Sequence, residues 1–464
     1  MVDPRIEAVQ YAQNQQQNNL DTLIEFVKIP SISTEPDHQQ DMLTAANWAA
    51  AQLRSMGFKN VQIFPTPKHP IVFGELIQSP SMPTVLIYGH YDVQPAEPLE
   101  LWQTPPFEPT VRGENLYARG ASDMKGQIVA TLSAVRAYLH SATQRINFKY
   151  ILEGEEEIGS PNLAAFLQEH KEMLACTFAL NPDSGMVSQD LPTIVNALRG
   201  LAYYELRVYG PQHDLHSGQF GGAVQNPAIV LSELIAGMHD ARGRITLPGF
   251  YDKVRPLTDR DRKAIASLPL TDEYYLKNIG APALWGEEGY TPSERTGARP
   301  TLDVNGLYSG FTGPGSKTVI PAWAMAKISM RLVPFQDPVK VEEQLRLYIK
   351  EHAPRTVRWE LITYSGGEAC ETDLDYPAVK ALYKALSTVW GKEPVYKREG
   401  GSIPVVVDMK KILGVESIVT GFGLPDDNLH APNEKLHLPT WYRGIEALIH
   451  LFFNLTEMAG QGKL

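Results

Sequence analysis

The chain has 464 residues, 43% hydrophobic and 20% charged, a balance that supports a sizeable core and excludes disordered and fibrous classes. Its 42 Lys and Arg stand against 53 Asp and Glu, a formal charge of -11, and no basic run appears, so no nucleic-acid partner is expected. Cys176 and Cys370 form no CxxC unit, which argues against a disulfide framework or a thiolate zinc site; with a polar first twenty residues and no run of about 18 apolar residues, the expectation is a soluble, cytoplasmic protein with no membrane partner.

In chain order, residues 20–28 and 41–56 carry apolar residues at helical spacing, and Gly57 stands ready as a C-cap. Short apolar runs at 61–64, 71–77, 84–88, 147–152 and 176–180 read as strands, with a long helix from about Gly126 to Tyr138 between the third and fourth. Strands alternating with helices predict an α/β class: a mixed, largely parallel sheet covered by helices on both faces. From about 196 to 368 the pattern changes. Residues 203–210 and 324–334 alternate like strands with one wet face, the second burying Ala324, Ala326, Ile328, Met330 and Leu332. Each is followed by an amphipathic helix, one starting at Pro227 and one carrying Val341, Leu345 and Tyr348. This predicts an α+β domain, 196–368, inserted into a domain made of 1–195 and 369–464. The stretch 240–316, rich in Gly, Pro and charge, reads as a long irregular connection within the insert.

Chemistry-bearing residues cluster where strands end. His90 and Asp92 follow one strand, Asp123 lies in a Gly-bounded turn before the long helix, Glu155, Glu156 and Glu157 follow the next strand, and Asp183 follows another. Taken singly, each reads as a loop hydrogen bond, a helix cap or a solvated turn. Taken together they converge at the carboxyl ends of the strands, where open α/β sheets hold their sites. So many carboxylates packed together repel one another unless cations neutralise them.

The segments GHYDVQP, GASDMKG, EGEEEIGS, NPDSG, HDLHSGQFGG, GSKTVIP, MRLVP, REGGSIP and LHAPNEKL, in this order, resemble the metallopeptidase family that contains cytosolic nonspecific dipeptidase, carnosinase, aminoacylase and carboxypeptidase G, and most closely its carnosinase-like branch. The resemblance spans roughly residues 20 to 455. It implies metal-dependent hydrolysis of dipeptides by a water shared between two divalent ions, zinc or manganese. Asp123 would bridge the ions, with His90 and Asp183 completing one site and Glu157 and His430 the other. Glu156 would be the general base and Asp92 the carboxylate that orients His90. Two dications against Asp123, Asp183 and Glu157 leave +1, which a hydroxide brings to zero. The extra Glu155 occupies a place often apolar in relatives, so the register of EGEEE leaves open which adjacent pair acts.

The resemblance makes the insert a lid and dimerisation domain. Within it, His216 would reach the active site of the partner in a homodimer, and Arg331, with Thr318, Gly401 and Ser402, would hold the substrate's terminal carboxylate. His69, His170 and His437 are read as ordinary packing or surface residues. In the family it resembles, an aspartate at position 183 is typical of dipeptidases and aminopeptidases, and a glutamate of acylases and carboxypeptidases. An N-acyl amino acid amidohydrolase or carboxypeptidase is therefore the alternative within the family, and an inactive binding protein the alternative outside it.

Overall fold

The structure, a computed structural model, describes residues 3–141, 146–401 and 403–464. The chain folds into two compact units: Met1–Asn196 with Thr372–Tyr396 and Pro404–Leu464, and Ala197–Glu371 with Lys397–Ile403. Among the described residues no helix is long and apolar enough to cross a membrane. The strands that matter below are β1 (Lys59–Phe64), β2 (Ile71–Leu76), β3 (Thr84–His90), β4 (Asn147–Glu153), β5 (Phe178–Asn181), β6 (Thr193–Leu198), β7 (Gly200–Tyr209), β8 (Thr301–Ser309), β9 (Trp323–Leu332), β10 (Arg358–Gly367) and β11 (Ser417–Val419).

In the first unit the sheet runs β1-β2-β4-β3-β5-β11-β6. Neighbours among β4, β3, β5 and β11 pair in parallel, while β1 and β2 on one flank and β6 on the other pair antiparallel. The sheet is thus mixed around a parallel centre. β3 and β4 are buried almost throughout, as strands at the centre of a sheet covered on both faces are, and β4 carries Asn147, Lys149 and Glu153 into the interior. The helix Lys125–Ser141 is buried nearly all round because it packs on β3 and also against the helices Pro4–Asn14, Gln16–Val27 and Leu438–Gly460. Its approach to β3 is close enough that a Cβ at position 89 would meet Ile128 Cγ1 at 2.7 Å, so the strand needs Gly89 one residue before His90. Gly57 ends the helix Gln39–Ser55 with a φ of 87°, the left-handed value a C-cap glycine adopts without strain.

In the second unit four antiparallel strands lie in the order β8-β9-β7-β10. Ala324, Ala326, Ile328, Met330 and Leu332 of β9 are all buried, against Val230, Leu231 and Leu234 of the helix Pro227–Gly237 and Val341, Leu345 and Tyr348 of the helix Pro338–His352. The stretch 240–316 is less irregular than its composition predicts. It contains the short helices Asp259–Ala266, Asp272–Ile279 and Pro292–Ala298 and the whole of β8. β8 escapes a pattern search because it is an edge strand, exposed on both faces in its middle, with a register shift between Val304 and Gly306. β10 is hidden for the same reason: it pairs with β7 and is exposed over most of its length.

Candidate metal centre

The parallel strands deliver their carboxyl ends to one edge of the first unit's sheet. His90 is the last residue of β3. Glu155, Glu156 and Glu157 lie just beyond β4, in a turn of 3-10 helix closed by Gly159. Asp183 follows β5, and Asp123 sits in the turn before the helix Lys125–Ser141. His430 arrives from a loop in the C-terminal part of the chain.

Asp123 is the hub. One carboxylate oxygen, Oδ1, lies 3.2 Å from His90 Nε2, and the other, Oδ2, lies 3.0 Å from His430 Nε2. His90 Nε2 is also 3.9 Å from Asp183 Oδ1, and His430 Nε2 is 3.4 Å from Glu157 Oε2. The residues form two half-sites, His90 with Asp183 and His430 with Glu157, each facing a different oxygen of Asp123. Ligand atoms of His90, Asp123 and Glu157 all lie within 4.8 Å of one another. The two imidazoles differ in exposure, the His90 side chain being 1% exposed and that of His430 54%.

The donor set fits divalent cations. His90 Nδ1 lies 3.1 Å from the backbone carbonyl of Asp92, and a carbonyl only accepts, so Nδ1 carries the proton and Nε2 presents a lone pair. Nε2 is buried without a hydrogen-bond partner, aimed among carboxylate oxygens. An acceptor surrounded by acceptors is the environment a cation completes. The titration tendencies agree. Burial, and then the charge of Asp123, push Glu157 up to about 8, and burial with Asp123 and Glu156 does the same to Asp183. Hydrogen bonding to Asp123 lifts His430 to about 9. Burial by itself would lower His90, yet Asp123, Asp92 and Asp183 raise it well above the imidazole range. Asp123 alone shifts the other way: burial would raise it, but the hydrogen bonds from His430 and His90 hold it below the usual carboxylate range, so the remaining acids are the ones short of positive charge.

A layer of buried groups holds these residues. The Asp92 carboxylate accepts from Glu156 N (3.3 Å) and Glu157 N (3.0 Å) and stands 3.5 Å from His90 Nδ1. It therefore braces the glutamate turn, while its own carbonyl orients His90. Glu155 points away from the cluster: it accepts from Thr66 Oγ1, His69 N and Asn162 Nδ2. Gln94 donates to Glu157 Oε2 (2.7 Å). Burial raises Glu156, the one acid of the turn whose side chain is neither tied to Gln94 nor anchored like Glu155. Glu434 and Gln94 belong to this layer and were missed from the sequence, although both stand inside motifs, LHAPNEKL and GHYDVQP. His69, His170 and His437 bond or stack locally, outside the cluster.

The remaining predicted residues fall in the second unit. His216 is exposed, with Nδ1 accepting from Gly218 N (3.0 Å), and its segment pairs antiparallel with Val319–Ile320, so that Ser217 N donates to the Thr318 carbonyl. His216 and Thr318 thus come from neighbouring strands. Arg331 is half-buried on β9, opposite Thr301 and Leu201. Gly401 is exposed in a turn whose preceding residues bond to Arg199, through Glu399 O and Gly400 O. Ser402 lies outside the described residues.

The model of peptidase family M20/M25/M40 matches residues 86–454. The chain belongs to this family. Cys-Gly metallodipeptidase DUG1 of Candida albicans is 31% identical over 92% of this chain and 93% of its own length, and Beta-Ala-His dipeptidase of Rattus norvegicus is 30% identical over 97% and 95%. Among solved structures, the metallo-carboxypeptidase Sso-CP2 from Sulfolobus solfataricus superposes with a TM-score of 0.83 at 33% identity, covering 95% of this chain and 99% of that one. The resemblance drawn from the motifs, a metal-dependent peptidase of mixed α/β fold, therefore holds.

Proposed function

We propose that this chain is a dipeptidase whose two divalent cations, zinc or manganese, are held one by His90 and Asp183 and the other by Glu157 and His430, with Asp123 between them. The observation that carries the reading is Asp123, one oxygen toward each imidazole. Bound there, the cations would acidify a shared water and polarise the scissile carbonyl. Glu156 then takes the attacking water's proton and returns it to the leaving amine, a role suited to a carboxylate whose burial has raised its pKa. Glu155 is anchored elsewhere, which favours the Glu156 and Glu157 pair over its neighbour. Asp92 keeps that pair in place through two backbone N–H groups.

The first unit is the catalytic domain and the second the lid. Arg331, with Thr318, Gly401 and Ser402, binds the free carboxylate of the dipeptide, for which the planar guanidinium is matched. The protein works as a cytoplasmic homodimer in which His216 stabilises the oxyanion in the partner's site. In support, the outer edge of β8 pairs with nothing among the described residues and exposes Leu307 and Tyr308, and Ile229 is exposed on the helix Pro227–Gly237. The chain carries two cysteines and no CxxC unit, a usage that supports a reducing compartment.

The likeness to a metallo-carboxypeptidase supports a second reading, removal of a C-terminal residue from longer or N-blocked peptides. Metal-stripped protein should be inactive and regain activity with zinc or manganese. Assayed so on dipeptides, tripeptides and N-acyl amino acids, it should prefer dipeptides. Faster turnover of N-blocked substrates would transfer the assignment to the second reading.

A further inference from the structure

Glu434 is completely buried, and its two oxygens accept four hydrogen bonds from one stretch of chain. Oε1 accepts from Ser122 N (3.0 Å) and Asp123 N (3.1 Å), and Oε2 from Gly120 N (2.9 Å) and Arg119 Nη1 (2.6 Å). Its backbone carbonyl accepts from Ala118 N. Arg119, buried as well, reaches back to the carbonyl of Ala431 at 3.4 Å, and so touches the loop that carries His430. The Arg119 and Glu434 pair therefore fastens the His430 loop to the turn that ends in Asp123, joining residues 307 positions apart.

That loop needs fastening. Asn428, His430 and Asn433 all have positive φ, 54°, 59° and 61°, a region that asparagine tolerates but that a histidine keeps where its surroundings enforce it. The other half-site is built differently. His90 ends β3, and Asp183 follows β5, which pairs with β3 in parallel, so the sheet ladder sets their spacing without Glu434.

We infer that Glu434 is a positioning residue that couples Asp123 to His430 and thereby sets the affinity of the cation site made by Asp123, Glu157 and His430 more than that of the other site, which shares Asp123 but takes the spacing of His90 and Asp183 from the sheet. The inference rests on the ligand assignment proposed above. It concerns a carboxylate that never touches a cation and acts only through backbone N–H groups and an arginine.

Calorimetric titration of metal-free protein with Mn2+ alone tests it. Wild type should bind two ions per chain; one or none would overturn the ligand assignment itself. Glu434→Gln, which turns one acceptor into a donor facing donors, should weaken one of the two sites about 10–100-fold and leave the other within a few fold. Glu434→Asp keeps the charge but is a methylene too short to serve both Arg119 and the turn, so it should lie between and carries the test if the glutamine variant does not fold. The control is Glu287→Gln in the second unit, which breaks an equally buried pair, Glu287 with Arg299. It should lower the unfolding temperature and leave both Mn2+ sites as in wild type. Wild-type affinities in a folded Glu434 variant, or the same loss in Glu287→Gln, would overturn the inference.

Discussion

The two units hold their chemically active side chains in opposite ways. In the first, the glutamate turn and Asp123 are braced from behind: Asp92 under the turn, Gln94 on Glu157, Glu434 under Asp123. In the second, His216 and Thr318 are exposed on a two-stranded pairing and Arg331 is half-buried on a sheet face. The second unit also contains a buried Glu–Arg pair, Glu287 with Arg299, whose guanidinium lies over the rings of Tyr251 and Tyr290. Concentrated negative charge needs a prearranged frame, because a ligand displaced by an ångström loses its cation. Groups proposed to meet a flexible dipeptide can be ordered when it binds.

The sharpest way to break this contrast is to remove the base without disturbing the frame. Glu156→Gln should cut kcat about 10²–10⁴-fold with both cations retained, as read by steady-state rates and metal analysis. Activity near wild type, or inactivity with metal loss, would move the base to a neighbour. Arg331→Ala comes next in size. Wild type should favour dipeptides over their C-terminal amides, and the variant should lose about 10–100-fold in kcat/KM on the acid, as loss of a charge-assisted bond worth about 1.5–3 kcal/mol implies, with its metal content intact. Equal wild-type rates on acid and amide would remove the carboxylate clamp.

A smaller effect concerns sharing between chains. His216→Ala and Glu156→Gln proteins should each be nearly inactive, yet co-expressed chains should recover roughly a quarter of wild-type activity, since about half of random dimers are mixed and each has one working site. No recovery in proven heterodimers would place His216 in its own chain's site or outside catalysis. The smallest catalytic effect belongs to Glu287→Gln. Breaking that pair should cost about 3–5 kcal/mol of stability, measured by denaturant unfolding, while kcat/KM stays within about twofold of wild type. A large kinetic loss would show that the insert's own frame is part of the machinery.

Some of this was legible from residue order alone. His90, the Glu155–Glu157 run and Asp183 stand just past apolar runs, so the alternation of strand and helix sufficed to send them to one edge of a sheet. The buried stripe of β9 and the helix after Pro227 were equally plain, because periods of two and 3.6 are local properties. The role of Glu155 was not, since the hydrogen bonds that turn it toward Thr66 and His69 come from 89 and 86 residues away. β8 was hidden because an edge strand exposed on both faces has no alternation to read.

The sequence by itself determined the number of strand-end acids, their need for cations and the parallel centre of the first sheet, since these follow from residue type and near-neighbour spacing; the peptidase chemistry came from the resemblance of its motifs. Only the tertiary structure decided which carboxylates face a common point and which are props. That distinction depends on contacts such as Glu434 with the Asp123 turn, over 300 residues apart. A buried carboxylate looks the same in one dimension whether it is surrounded by N–H donors or by other carboxylates. Its neighbours, and so its charge and its role, are settled only when the chain has closed around it.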